Sequence, residues 1–592
     1  MVETTVDRGE GEASGLTRRV KQKTNTSDAA TRLSTSRTKS KKNAGSALRK
    51  MKEEAHVTRY LLSGVMHIAV LGAVVRMMYI GGVIDLMESY YDAWAPWVVP
   101  CGLLETKEYV IFSEHIVGRY GMVAGGIHVR GEIIAGTFLG RQGLNRSLIL
   151  ERLLGPKKSS SIHILDYKDY VVGPGLIDVH VHMNDPGRAD WETMYQATQA
   201  AAAGGVTMVV DMPLNSDPVT TTKKRVLEKI RIGAGKNSSF VQVGVWAGLV
   251  PENARNPSVL KGLVRAGAFG FKAFMAHSGI NDFEKVSIDD IEAALPVIRS
   301  LDVPLLVHAE LELDEEEVDA DLQKDLYSSW LQIRPPEMER RAVQQLIDAL
   351  EKLEKTSTNE KKGFRIHVVH ISDDKALQMI VDAKKRHLPI TVETCPHYLL
   401  FSKEMIPKGA TEFKCAPPIR DAENRDALRR GVLRGDIDGM SSDHSPSPES
   451  MKMKDTGDFL NSWGGISVVQ YSLPATWESL VSADPSVSPF VLHAAFSGFP
   501  ASLLGMEHLK GRISDGKHAD LVVWDPKSNA DTSREGCYQT QKLSPYMGRA
   551  MRGKVVSTFV MGSMVYDSGV GVSATSCGTS IAKKSIRKKR KS

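Results

Sequence analysis

The chain has 592 residues, a formal net charge of +6 and five cysteines. That length supports a large core with an accessory domain, and the charge is too small to imply a nucleic-acid partner. The cysteines (Cys101, Cys395, Cys415, Cys537, Cys577) are too scattered for a disulfide framework or a cysteine zinc site, so any metal must be held by His, carboxylate or a modified side chain.

Residues 1–55 are rich in Lys, Arg, Ser, Thr and Gly without an apolar period, which predicts a disordered basic tail. Acidic residues mixed into it, such as Glu10, Glu12, Glu53 and Glu54, argue against an organellar transit peptide. The next stretch, 56–104, contains a mostly apolar run over 60–84, close to the roughly 20 residues that span a bilayer. His67 and the central Arg76 oppose insertion, an Arg at mid-bilayer costing about 2.5–3.5 kcal/mol. Two readings stay open. As a signal anchor, 60–84 would give a single-pass protein of the endoplasmic reticulum with its body translocated, exposing the sequons at Asn145 and Asn237 to glycosylation. As an amphipathic helix, it would lie on the globular body or on a membrane surface, leaving a cytosolic or peroxisomal protein.

Short alternating segments (YVIFS, GIHVRG, EIIAG, HILDY) separated by Gly and charged turns fill 105–173, and the same character returns over 506–572. These two pieces predict one small β-sandwich domain, followed by a basic C-terminal tail over 573–592. Between them, over 174–505, eight apolar β-type runs alternate with helical segments: GLIDVHVHM, TMVVDMP, QVGVWAGL, FGFKAF, PLLVHAE, RIHVVHI, ITVETC and GMSSDH. The pattern is that of an α/β chain folded as a (β/α)8 TIM-like barrel, whose chemistry lies at the C-terminal ends of the strands.

Those ends carry His180 and His182 on the first strand, Lys272 on the fourth, His308 on the fifth, His370 on the sixth and Asp443 on the eighth. His180 and His182 are two apart, so both imidazoles project from one face of their strand. Taken alone, such a pair reads either as metal ligands or as polar residues of a half-buried strand. Six polar groups on six apolar strand ends are harder to explain separately, because each buried Lys or Asp would need its own partner; one metal cluster accounts for all of them.

With their flanking sequence these residues resemble the cyclic amidohydrolases of the amidohydrolase superfamily, over about Tyr109 to Gly569. The resemblance implies that Lys272 becomes N6-carboxylysine and bridges two divalent metal ions per subunit, zinc first, with cobalt, manganese and iron also compatible. It implies His180, His182, Lys272 and Asp443 as ligands of the more buried ion, and Lys272, His308 and His370 as ligands of the other. A carbamate suits that place, since an ammonium cannot ligate a metal whereas a carbamate offers two anionic oxygens. The resemblance also implies a homo-oligomer, commonly a tetramer.

Within that family the segments VDMPLNSDP, FMAHSGINDF, ETCPHYL, FKCAPPIRD, SSDHSPS and SWGGISVVQ are similar to those of allantoinases. This implies hydrolysis of the hydantoin ring of allantoin to allantoate in purine catabolism. A hydroxide held by the two metals would attack the ring carbonyl, with Asp443 as general base and then general acid. Dihydroorotases and dihydropyrimidinases are the alternatives. Dihydroorotases bind a substrate carboxylate with an Arg two residues after the second barrel His and a His four residues after the metal Asp; here Asn184 and Ser447 stand there. The Cys and Asn that dihydropyrimidinases carry after the metal Asp are also missing.

Asn215, Ser278, Ser445 and Ser447 on strand-end loops are candidate substrate contacts, each also readable as an ordinary turn residue. Cys395 reads as core and His397 as a group behind the ligands, while the acidic run 312–321 with Trp330 to Pro336 reads as a solvated helix and a lid. A catalytically inactive binding scaffold of the same family would predict a broken ligand set, and all six positions are intact.

Overall fold

The structure, a computed structural model, describes residues 101–140, 145–155, 162–235, 238–312, 322–356 and 362–583. The basic tail 1–55, the apolar run 60–84, Asn237 and residues 313–321 of the acidic run lie outside these. Among the described residues no helix is long and apolar enough to cross a membrane.

The first strands, β1 (Glu108–Val117), β2 (Met122–Arg130) and β3 (Ile133–Gly140), form an antiparallel meander. Next, β4 (His163–Asp166) and β5 (Val171–Pro174) pair parallel with β1. The helix Arg146–Leu154 lies between β3 and β4, its first turn capped by Asn145, whose side-chain oxygen accepts the Ser147 N–H at 2.8 Å. From β5 the chain passes through Gly175 directly into the barrel. No larger residue fits there, since a Cβ would fall 2.2 Å from the Thr207 side chain.

The barrel consists of β6 (Leu176–Val181), β7 (Val206–Asp211), β8 (Gln242–Val245) continued by β9 (Ala247–Gly248), β10 (Phe271–Phe274), β11 (Leu305–His308), β12 (Ile366–Val368), β13 (Ile390–Thr394) and β14 (Gly439–Met440). Neighbours pair in parallel in chain order. The third strand is split at Trp246, whose backbone N–H turns to Asp211 O at 3.0 Å while its indole N–H donates to Val179 O at 2.8 Å. A bridge between Val181 and His444 closes the ring, with the His182 N–H donating to His444 O at 2.7 Å. The strands are mostly apolar because the helices cover their outer faces. The helix Pro257–Ala266, for example, buries Leu260, Leu263 and Val264 at helical spacing.

After the barrel, β15 (Leu521–Asn529), β16 (Arg552–Val560), β17 (Ser563–Asp567) and β18 (Gly571–Val572) follow as an antiparallel run, and β15 pairs with β5. The accessory β-domain is therefore one nine-stranded sheet among the described residues, folded over a shared apolar face rather than built from two separate sheets. Tyr109 of β1 meets Phe559 of β16 there with ring centroids 5.6 Å apart, and the Tyr109 hydroxyl donates to Gly562 O at 3.0 Å. The C-terminal stretch differs from a simple tail. Residues up to Lys583 pair along β8, Val243 donating to Thr579 O at 3.0 Å and receiving the Ile581 N–H at 2.8 Å. The physical reason is the apolar pair Ile581 and Ala582, of which Ala582 is buried.

One buried ion pair fixes the rim of the barrel. Lys229, on the helix Lys223–Gly233, is paired with Asp211 at the end of β7 and donates to Met212 O at 2.8 Å, while the other Asp211 oxygen accepts the Met183 N–H at 2.9 Å. Both side chains are essentially inaccessible. Lys229→Met leaves the Asp211 carboxylate buried without its partner, and urea unfolding should show a loss of about 3–5 kcal/mol.

Candidate active site

The C-terminal ends of the barrel strands converge on a cavity of about 390 Å³, whose lining includes His180, His182, His308, His370 and Asp443. His180 Nε2 lies 3.2 Å and His182 Nε2 3.5 Å from Asp443 Oδ1. His308 Nδ1 faces His370 Nε2 at 3.1 Å. His180 and His370 bring the two halves together, their ring centroids 5.3 Å apart. Lys272, fully buried behind them, reaches over the Phe274 ring at 4.7 Å, and Phe274 stacks on His308 at 4.7 Å. The structure thus brings all six strand-end residues into one cluster.

Backbone geometry contributes to this convergence. Asn184, Asn215, His370 and Asp443 all have positive φ, between 42° and 64°, in the region that non-glycine residues rarely occupy. Such turns at strand ends redirect the chain immediately after the strand instead of continuing it outward.

Outside the cluster, three of the four rings, those of His180, His182 and His308, are oriented by a neighbour. Glu393 accepts from His180 Nδ1 at 2.9 Å and from His367 Nε2 at 3.1 Å, leaving His180 Nε2 toward Asp443. Asn215 Nδ2 lies 3.3 Å from His182 Nδ1, and Glu310 bonds His308 Nε2 at 2.6 Å. Arg334 pairs with the same Glu310 oxygen. Although burial opposes it, the Arg334 charge and the His308 bond hold the Glu310 carboxyl down at about 2.

Burial, with the neighbouring Lys272 and imidazole cations, pushes His180 and His370 well below the ordinary imidazole range, and burial also lowers His308. Lys272 is brought down to about 7, burial outweighing the Asp443 charge that favours the ammonium. A set of neutral imidazoles, a carboxylate and a readily deprotonated amine is what a pair of divalent metals with a carbamate bridge requires. Two orphaned atoms support the same fit: Lys272 Nζ and His370 Nδ1 are buried with no protein hydrogen-bond partner among the described residues. His180, His182 and Asp443 offer ligand atoms within 4.8 Å of one another, as do Cys395, His397 and Asp443. In the second group burial drives the Cys395 thiol well up and His397 down to about 4.

The loop candidates divide. Asn215, Ser278 and Ser445 line the cavity, but the Ser278 hydroxyl is engaged by Ile280 O at 3.1 Å and Phe283 O at 2.6 Å in its own turn. Ser447 and Asn184 are buried behind the lining, and Asn184 Nδ2 donates to Pro446 O at 3.3 Å. Trp330 does line the cavity, on the helix Tyr327–Ile333. Sequence reading did not single out Arg334, Lys414, Ser462 or Trp463, which line it too. They sit in irregular segments where no period marks an inward side. The usable signal was the cations Arg334 and Lys414 inside otherwise apolar or Pro-rich stretches.

Residues 171–565 match the model of the amidohydrolase family. An allantoinase of Arabidopsis thaliana is 43% identical over 81% of this chain and 92% of its own length. An allantoinase of Saccharomyces cerevisiae is 38% identical over 69% of this chain and 85% of its own. Among solved structures, an L-hydantoinase (dihydropyrimidinase) from Arthrobacter aurescens is 24% identical with a TM-score of 0.69, covering 80% of this chain and 99% of that one. At that identity the likeness speaks to the fold.

Proposed function

The chain belongs to the amidohydrolase family, and we infer that within it the protein is an allantoinase, hydrolysing the ring amide of allantoin to allantoate. The observation that carries this reading is the identity to curated allantoinases across nearly their whole length, joined to an intact six-residue cluster at the base of one cavity. We propose His180, His182, Lys272 and Asp443 as holders of one divalent ion and Lys272, His308 and His370 as holders of the other, with Lys272 carboxylated. Such ions, when bound, acidify water and polarise a carbonyl.

The chain's own groups account for the rest. Asp443 is the one member of the cluster whose side chain is partly open, at 13%, and it faces the cavity. Its carboxylate is placed to take the proton of the attacking water as the new C–O bond forms, and to return it to the ring nitrogen as the C–N bond breaks. Glu393 holds His180 in one orientation meanwhile, so Asp443 meets a fixed Nε2.

The cavity also favours a neutral substrate over a carboxylate-bearing one. Its two lining cations are already engaged: Arg334 pairs with Glu310, and Lys414 donates to Leu460 O and Ser462 O. A substrate carboxylate such as that of dihydroorotate would have to compete there with Glu310 for Arg334. A homo-oligomer, a tetramer by resemblance, belongs to the same proposal.

Purified protein assayed in parallel on allantoin, dihydroorotate and dihydrouracil should turn over allantoin efficiently, with little on dihydroorotate; comparable kcat/KM on both would return dihydroorotase to the front. Lys272→Ala should abolish turnover and lower metal content measured by plasma emission, with partial recovery when a short-chain carboxylic acid is supplied. Full metal content with normal turnover would remove Lys272 from the ligand set. Asp443→Asn should keep the fold by circular dichroism and lose about 10²–10⁴ in kcat.

A further inference from the structure

Between Asp458 and Gly465 the chain forms neither helix nor strand, and its backbone is tied from outside. One Asp458 oxygen accepts the N–H groups of Leu460 and Asn461, both at 2.9 Å. Lys414 Nζ donates to Leu460 O at 3.0 Å and Ser462 O at 2.6 Å. Lys452 Nζ donates to Trp463 O at 3.0 Å and also to Gly465 O. Both lysines are buried, at 4% and 3% exposure, and among the described residues neither forms an ion pair with a carboxylate. Two buried lysine side chains thus gather four carbonyls of one loop.

With those carbonyls engaged, two side-chain donors of the same loop have no protein acceptor. The Ser462 hydroxyl, on a residue 4% exposed, and the Trp463 indole N–H are buried without a hydrogen-bond partner among the described residues. Both residues line the cavity. The Trp463 ring is held edge-on against Trp191 at 4.8 Å. A buried donor without an acceptor is costly, so adjacent unpaired donors on two residues that line a cavity point to an acceptor supplied by the ligand.

We propose that Ser462 Oγ and Trp463 Nε1 are a donor pair for the carbonyl of the substrate's exocyclic ureido arm, and that Lys414 and Lys452 are the positioning residues that hold the pair in place. The proposal rests on the allantoinase reading above. In that arrangement the ring amide sits at Asp443 and the histidines and the ureido arm against this loop, whose exposed Asn461 also lines the cavity. An unsubstituted ring lacks the ureido carbonyl, so the pair favours a substrate that carries the arm.

The test compares allantoin with hydantoin, the same ring without the arm, as substrate and as competitive inhibitor of the metal-loaded full chain. In Trp463→Phe and Ser462→Ala the ratio of KM for allantoin to Ki for hydantoin should rise about tenfold, mainly through KM. Lys452→Met should raise the same ratio, and Lys452→Arg, which keeps a cationic donor, should recover most of it. An unchanged ratio in Trp463→Phe and Ser462→Ala overturns the donor pair even if Lys452→Met fails to fold. A normal ratio in a folded Lys452→Met removes the positioning role. Failure of the wild-type chain to hydrolyse allantoin would instead overturn the allantoinase reading itself.

Discussion

A fully buried lysine amine with no hydrogen-bond partner among the described residues, Lys272, is the constraint around which the catalytic end of the barrel is arranged. An ammonium there carries a desolvation cost that Asp443 only partly offsets, and burial accordingly brings Lys272 down to about 7. The same burial lowers His180, His308 and His370 from the ordinary imidazole range. Negative charge is placed one step further out, in Glu393 behind His180 and Glu310 behind His308, where each carboxylate orients a ring. A layer of neutral donors inside a layer of carboxylates can accept cationic charge at its centre without rearranging.

The parts of the site legible in the sequence were those governed by strand periodicity. A polar residue ending an apolar run, such as Lys272 in FGFKAF or His308 in PLLVHAE, can only be an exception to the core pattern, and the structure brings these exceptions together. The loop residues were less legible because loop geometry depends on partners far away in sequence. Ser278 was readable as a strand-end hydroxyl, yet its bonds lie within its own turn; Ser447 was readable as a neighbour of Asp443, yet it lies behind the lining. Lys452 shows the difficulty most clearly: its role is defined by carbonyls of Trp463 and Gly465, and a carbonyl leaves no mark in sequence.

The accessory β-domain was legible in its composition but not in its form. Alternating segments before and after the barrel predicted a common domain, while the continuous sheet depends on β5 lying between β1 and β15. That pairing has a consequence for the site. β5 leads straight into β6, the strand that presents His180 and His182, so the register of the sheet also sets the axial position of the first two histidines. Thr207 packed against Gly175 and the Asp211–Lys229 pair then fix the same strand from the side of β7.

Charge is distributed differently at the base and at the wall of the cavity, and this difference carries the specificity argument. At the base, nitrogen donors and Asp443 are arranged for cations. At the wall, Arg334 and Lys414 direct hydrogen bonds to the protein, one to Glu310 and the other to loop carbonyls. An anionic group on the unreacting part of a substrate would compete with Glu310 for Arg334. A neutral amide arm needs no such exchange. It can use donors that are unpaired in the protein itself, and Ser462 and Trp463 supply them beside the very carbonyls the lysines hold. Arg334 and Lys414 therefore shape the wall that meets the substrate through groups the protein itself engages.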